Sequence, residues 1–168
     1  MTGIVVADTG PLIALARGEC LQLLQALYQE IYIPPAVHTE LRLRSGRPGS
    51  NHLAEAMDKG WLQIKKPSDS TASSISELAL ILDPGEAEAI VLAEEVDCRF
   101  LLIDERKGRA VAKRRAVPIA GIAGVLLAAK KHGFIDEVLP IIKQLAAVGY
   151  RMSPDLMKEI ARPAGESR

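Results

Sequence analysis

The chain has 168 residues, enough for one domain with a core of its own and too few for two of ordinary size. Lys and Arg together number 21, matched by 21 Asp and Glu. This balance excludes an overall basic field that would mark a polyanion partner, although a local patch can still steer one.

Taken in order, Ile4-Val5-Val6-Ala7 is a continuous apolar run ending at Asp8 and Thr9, as expected of a strand buried on both faces. Gly10-Pro11 then turns the chain into a helix over 11–17. Gly18 separates it from a second helix, Cys20–Gln29, where Cys20, Leu23, Leu24 and Leu27 recur at helical spacing. Ile31–Ile33 reads as a short strand. Pro34-Pro35 opens a helix from Ala36 to about Leu43 whose apolar face carries Val37 and Leu41, with Glu40 beside it. Arg42, Arg44 and Arg47 follow in a Ser-Gly-Pro-Gly loop. Beyond it the pattern predicts a helix over His52–Lys59, an edge strand over Trp61–Ile64, a surface loop over Lys66–Ser74 and a helix over Ile75–Leu82.

Asp83-Pro84-Gly85-Glu86 has the form of a capping box and starts a helix to Val96. Phe100–Ile103 repeats the opening pattern and ends at Asp104. A basic helix over Arg106–Arg115, a strand over Val117–Ile119 and a helix over Ile122–Lys131 come next. Helices over Asp136–Val148 and Pro154–Ile160 close a single domain over residues 1–161, leaving 162–168 as a flexible tail. Cys20 and Cys98 lie in apolar patterns without motif spacing and read as buried thiols in a reducing compartment. No signal peptide and no apolar run of about 18 residues is present. The expectation is a cytoplasmic protein with no membrane partner.

Strands alternating with helices predict an α/β fold, a three-layer α/β/α sandwich on a mostly parallel sheet. In such a sheet the carboxyl edge of the strands holds the ligand. Asp8 and Asp104 end strands there. Glu86 opens a helix at that edge, and Glu40 lies in the second turn of a helix leaving another strand. Four carboxylates on one rim repel one another, and a divalent cation relieves the repulsion. An all-oxygen set suits Mg²⁺ or Mn²⁺ better than zinc, and such an ion supports phosphodiester hydrolysis. Each acid also has a plainer reading: Asp8, Asp104 and Glu86 as helix caps, and Glu40 as a solvated helix acid. Arg106, Lys107 and Arg109 follow Asp104 closely enough to hold substrate phosphates, or else form a solvated basic face.

The segments Val-Val-Ala-Asp-Thr-Gly-Pro-Leu-Ile-Ala-Leu, Ile-Pro-Pro-Ala-Val-His-Thr-Glu-Leu, Gly-Glu-Ala-Glu-Ala-Ile and Leu-Leu-Ile-Asp-Glu-Arg-Lys-Gly-Arg together resemble the PIN domain family. These are metal-dependent nucleases that include VapC-type ribonuclease toxins, and the resemblance is to a poorly characterised prokaryotic branch. It implies RNA as substrate and partner, with Asp8, Glu40, Glu86 and Asp104 as the metal-binding, catalytic acids. Thr9 would orient a carboxylate or water. The third acid is more often Asp in the family; Glu86 and Glu88 both compete for its place, with Glu88 otherwise a supporting residue. The resemblance further implies a small cognate antitoxin and a homodimer, with an interface on the helices near Leu12–Leu27 or at the C-terminus. The alternative is a PIN-like nucleic-acid-binding or partner-binding module with weak or lost activity.

Asp8-Thr9-Gly10 also matches the aspartic-protease triplet, but that chemistry sits in an all-β body with a symmetry mate. A haloacid-dehalogenase-type phosphatase would need an acid where Gly10 stands.

Overall fold

A computed structural model describes residues 2–166. Five short strands, β1 (Val5–Ala7), β2 (Ile31–Ile33), β3 (Leu62–Ile64), β4 (Phe100–Leu102) and β5 (Ile119–Ala120), form one parallel sheet in the order β3-β2-β1-β4-β5. The helices that flank it are α1 (Thr9–Arg17), α2 (Gln22–Tyr28), α3 (Pro35–Leu41), α4 (Ser50–Asp58), α5 (Ala72–Leu78), α6 (Pro84–Glu95), α7 (Arg106–Arg114), α8 (Ile122–Lys131), α9 (Leu139–Ala147) and α10 (Pro154–Ala164). The three-layer α/β reading of the sequence is what the structure has.

β1 is the centre because every one of its side chains is apolar and none is accessible to solvent. A strand sealed on both faces must lie between neighbours, and β1 pairs with β2 through Val5–Ile31 and with β4 through Val6–Leu101 and Ala7–Leu102. The chain builds outward from β1 to β2 and β3, then returns to the other side of β1 for β4 and β5. The order therefore reverses between β1 and β4, and the crevice at such a reversal is where open α/β sheets bind ligands. α6 buries residues almost all round, from Gly85 to Ala93 with only Glu88 partly exposed, and packs against α3 and β1.

Several boundaries differ from the sequence expectation. The strand expected over Val117–Ile119 forms at Ile119–Ala120, because Pro118 has no N–H to give to a ladder. The helix expected from Asp136 begins at Leu139, since Pro140 fits only a first turn. α5 starts earlier than expected and stops at Leu78, and a 3-10 turn at Asp69–Thr71 takes up part of the expected loop.

α10 continues through Ala164, past the expected start of the tail at Arg162. Beyond it, the Glu166 carboxylate accepts the Val138 and Leu139 N–H groups at 2.7 and 3.0 Å and pairs with Lys130 at 2.9 Å. The tail residues Ser167 and Arg168 lie outside the described residues. In the helices near Leu12–Leu27, one of two faces expected to supply a dimer interface, Leu12, Leu15, Leu23 and Leu24 are buried in the chain's own core, while Ile13, Leu27 and Tyr28 are partly buried. Among the described residues, no helix is long and apolar enough to cross a membrane.

Candidate active site

At the β1–β4 reversal the Asp8 N–H donates to the Leu102 carbonyl at 2.9 Å, continuing the parallel ladder one residue past β1. Asp8 and Asp104 thus leave neighbouring strands at the same edge. Asp8 occupies the N-cap position of α1 but makes no side-chain capping bond there. It is 5% exposed, and its Oδ1 is buried with no hydrogen-bond partner.

Glu40 comes from α3, which the following contacts aim at this edge. Thr9 Oγ1 donates to Glu40 Oε2 at 2.6 Å, and the Gly85 N–H donates to Glu40 Oε1 at 3.0 Å. Thr9 and Gly85 thus each take one oxygen of the Glu40 carboxylate. Glu88 stands further back: its carboxylate accepts the Ala36 N–H at 3.1 Å, serving the start of α3, where Pro34 offers no cap of its own.

Glu86 does two jobs. Its Oε1 accepts the Asp83 N–H at 3.3 Å while its own N–H donates to Asp83 Oδ1 at 2.8 Å, a complete capping box. Its Oε2 remains buried and unpartnered. Asp104 does not cap α7, a role taken by Glu105, which accepts the Lys107 N–H. Instead Asp104 Oδ1 accepts the Ile122 N–H at the start of α8 at 3.3 Å, and Oδ2 is buried without a partner.

Three of the acids press on glycines. A Cβ at Gly85 would fall 2.5 Å from Glu40 Oε2, one at Gly108 would fall 2.7 Å from Glu86 Oε2, and one at Gly121 would fall 2.6 Å from Asp104 Oδ1. Any other residue at these places would displace a carboxylate.

The electrostatics divide the acids into two groups. Burial pushes the Asp8 carboxyl up from 3.8 to about 7, the Thr9 N–H opposes this, and the charges of Asp83, Glu40 and Glu105 add to it. Burial likewise raises Glu86, with Asp83, Asp8 and Glu105 adding repulsion. Asp104 is raised by burial but relieved by the Ile122 N–H, Tyr150 and Arg109. Asp8, Glu40 and Glu86 thus form one repelling group, while Asp104 answers to neighbours on its other side. Among the described residues, no three His, Cys, Asp or Glu side chains close around a single point as metal ligands. The donor chemistry nonetheless fits a hard divalent cation. The site is carboxylate throughout, and one buried oxygen each on Asp8, Glu86 and Asp104 is without a partner.

Among known families, a model of the PIN domain matches residues 4–166. The chain belongs to the PIN domain family. Compared with curated proteins, it matches none. PIN domains are in general nucleases, so this one has a nuclease-type fold whose substrate class is nucleic acid.

In this PIN domain the three expected phosphate-binding cations are not equivalent. Arg106 and Lys107 are exposed at the start of α7. Arg109 turns inward, its Nη1 donating to the Ile103 carbonyl at 2.7 Å, and its charge acts on Asp104. Of the groups whose charge or hydrogen bonding acts on the acids, Asp83 is visible in sequence as a helix cap, whereas Glu105 and Tyr150 do not stand out; for Glu105 its place next to Asp104 is the available signal. Tyr150 follows α9 and meets Asp104, which together with burial drives the phenol's pKa well up. No sequence spacing connects those two residues.

Proposed function

We propose that this PIN domain is a metal-dependent endoribonuclease using Asp8, Glu40, Glu86 and Asp104, with Mg²⁺ or Mn²⁺ as cofactor. The observation that carries the reading is the set of three buried carboxylate oxygens left without partners, on Asp8, Glu86 and Asp104, beside the β1–β4 reversal. A buried unpaired acceptor costs about 1–3 kcal/mol, more if charged, and three in one region call for a shared positive partner. A bound cation would lower the pKa of a water and offset charge on the phosphate under attack.

The chain's own part is positional. Thr9 and the Gly85 N–H fix the Glu40 carboxylate, and the capping box holds Glu86 with one oxygen turned inward. Glu86 is preferred to Glu88 as the third acid, because its Oε2 is buried without a partner and the charge of Asp8 acts on it, whereas Glu88 serves the start of α3. Asp104 would contribute Oδ2, the oxygen left over while Oδ1 is held by the Ile122 N–H. Arg106 and Lys107, exposed where α7 begins, approach phosphates of the strand, whereas Arg109 braces the end of β4. The partners in this reading are RNA, a second copy of the chain and, if the protein serves as a toxin, a small inhibitory protein.

The deciding experiment incubates a mixed RNA pool with Mn²⁺ and either wild type or Asp8→Asn. Wild type cuts and the variant does not. A pool left intact by wild type, with RNA still bound, would favour the binding-module alternative.

A further inference from the structure

A cavity of about 260 Å³ opens on the Glu40 side of the acidic edge, between α1, α3, α4 and the loop after α3. Ile13 and Arg17 of α1, Glu40 and Leu41 of α3, and Arg47 and Pro48 of the loop line it. Ser50, almost fully buried, closes one side. We infer that this cavity is a subsite for one nucleotide of the RNA strand, next to the cut, with Arg17 and Arg47 holding its phosphate. The inference rests on the nuclease reading above and adds to it a second place where the strand is gripped.

Four observations support it. The cavity shares Glu40 with the acidic group, so whatever fills it lies next to one of the four acids. Both Glu40 oxygens are engaged by Thr9 and Gly85, so this carboxylate is not positioned as a partner for either arginine. Among the described residues neither arginine forms an ion pair, and both are exposed residues of the cavity lining, with Arg17 Nη1 lying 3.8 Å from where a Cβ on Gly149 would stand. Finally, the loop is seated firmly. Gly49 has φ +87, and a Cβ there would fall 2.9 Å from the Arg17 backbone nitrogen, so only glycine lets the Arg47 loop close onto the end of α1.

The chemistry of the lining selects the ligand. Ile13, Leu41 and Pro48 give an apolar wall for a sugar or base face, and a guanidinium suits phosphate oxygens. The volume falls below the roughly 300–1,000 Å³ of sites for larger ligands, which suits a single nucleotide and excludes a duplex. Asp8 follows β1, Glu40 comes from the helix after β2, and Arg106 and Lys107 follow β4. The strand therefore runs from the Arg106 side of the carboxyl edge, over the acids, and on beside α1 towards Arg17 at the far end of that helix, roughly 12 Å from Thr9.

The test is binding of a fluorescent single-stranded RNA ten-mer in chelator over a range of salt, beside cleavage of the same RNA in Mn²⁺. Proteins compared are wild type, the double variant Arg17→Ala with Arg47→Ala, and Lys131→Ala as a control cation remote from the cavity lining. The double variant is expected to bind about tenfold more weakly, with a salt slope shallower by about 0.7 for the one phosphate that the two arginines share. Its KM rises more than its kcat falls, and Lys131→Ala behaves as wild type. Cleavage by wild type, with affinity, salt slope and KM unchanged in the double variant, would overturn the subsite and leave the nuclease reading standing. Wild type that neither binds nor cuts RNA would overturn both. A melting temperature equal to wild type in the double variant separates lost contacts from lost fold.

Discussion

Asp8 concentrates the conflict of this site in one side chain. Its carboxyl is raised from 3.8 to about 7 chiefly by burial, so between these values the folded chain keeps a proton that the unfolded chain has released. Stability of the metal-free protein therefore falls as pH rises through that window, and the loss is complete above about pH 7. Asp8→Asn carries no charge to bury. At roughly 1.4 kcal/mol for each tenfold change in proton affinity, it should be more stable than wild type by a few kcal/mol at pH 8. That advantage should shrink towards zero near pH 4, as melting curves across pH in chelator will show. A wild type whose stability climbs from pH 5 to 8 as steeply as the variant's would remove this account. Gly121 poses the converse case. Its absent Cβ leaves space for Asp104 Oδ1, so Gly121→Ala should shift that carboxylate and reduce cleavage at least tenfold. Folding should survive, as read by an unchanged far-ultraviolet spectrum.

At the scale of elements, two helix starts do the positioning. α3 is held at its N-terminus by Glu88 and at Glu40 by Thr9 and Gly85, so its orientation is set from two other segments. Removing the first hold by Glu88→Ala should cost about 1 kcal/mol, in line with loss of a helix cap, and should slow cleavage without abolishing it. Thermal melting and single-turnover cleavage check the two halves of that statement. α6 makes a sharper point about glycine. Within most helices Gly→Ala stabilises by about 0.5–1 kcal/mol. In Gly85→Ala the new methyl meets the Glu40 carboxylate at 2.5 Å, so the substitution should destabilise by about 1–3 kcal/mol instead. A gain in melting temperature would mean that Glu40 moves aside freely.

For the whole molecule, the sheet brings together acids that chain distance keeps apart, and the cost of doing so appears as three unpartnered oxygens. Mn²⁺ at about a hundred times its Kd should add about 2.7 kcal/mol, several degrees in melting temperature for a chain of this size. Asp8→Asn and Asp104→Asn should each lose that gain. Equal gains in wild type and both variants would place any bound ion elsewhere. The C-terminus is tied into the same body through Glu166, which joins the start of α9 to Lys130 of α8. Glu166→Ala should lower stability by about 1–2 kcal/mol, the scale of a lost cap, with cleavage per folded molecule unchanged.

Reading the sequence alone sufficed for the alternation of strands and helices, the burial of β1, and the four acids as candidates, because apolar periodicity and turn chemistry are local properties. Asp83 to Glu86 was legible as a capping box for the same reason. Strand order was not legible, since nothing local tells β4 to pair with β1 rather than β3. Only the tertiary structure decided which backbone N–H each carboxylate answers to: Asp83 for Glu86, Ala36 for Glu88 and Ile122 for Asp104, with one buried oxygen left over on Asp8, Glu86 and Asp104. It also revealed that Gly85, Gly108 and Gly121 give three carboxylates their room, and that Arg109 faces inward while Arg17 and Arg47 share a cavity. These are matters of packing between segments far apart in the chain, where each side chain's direction depends on which backbone N–H or neighbouring atom the fold places before it.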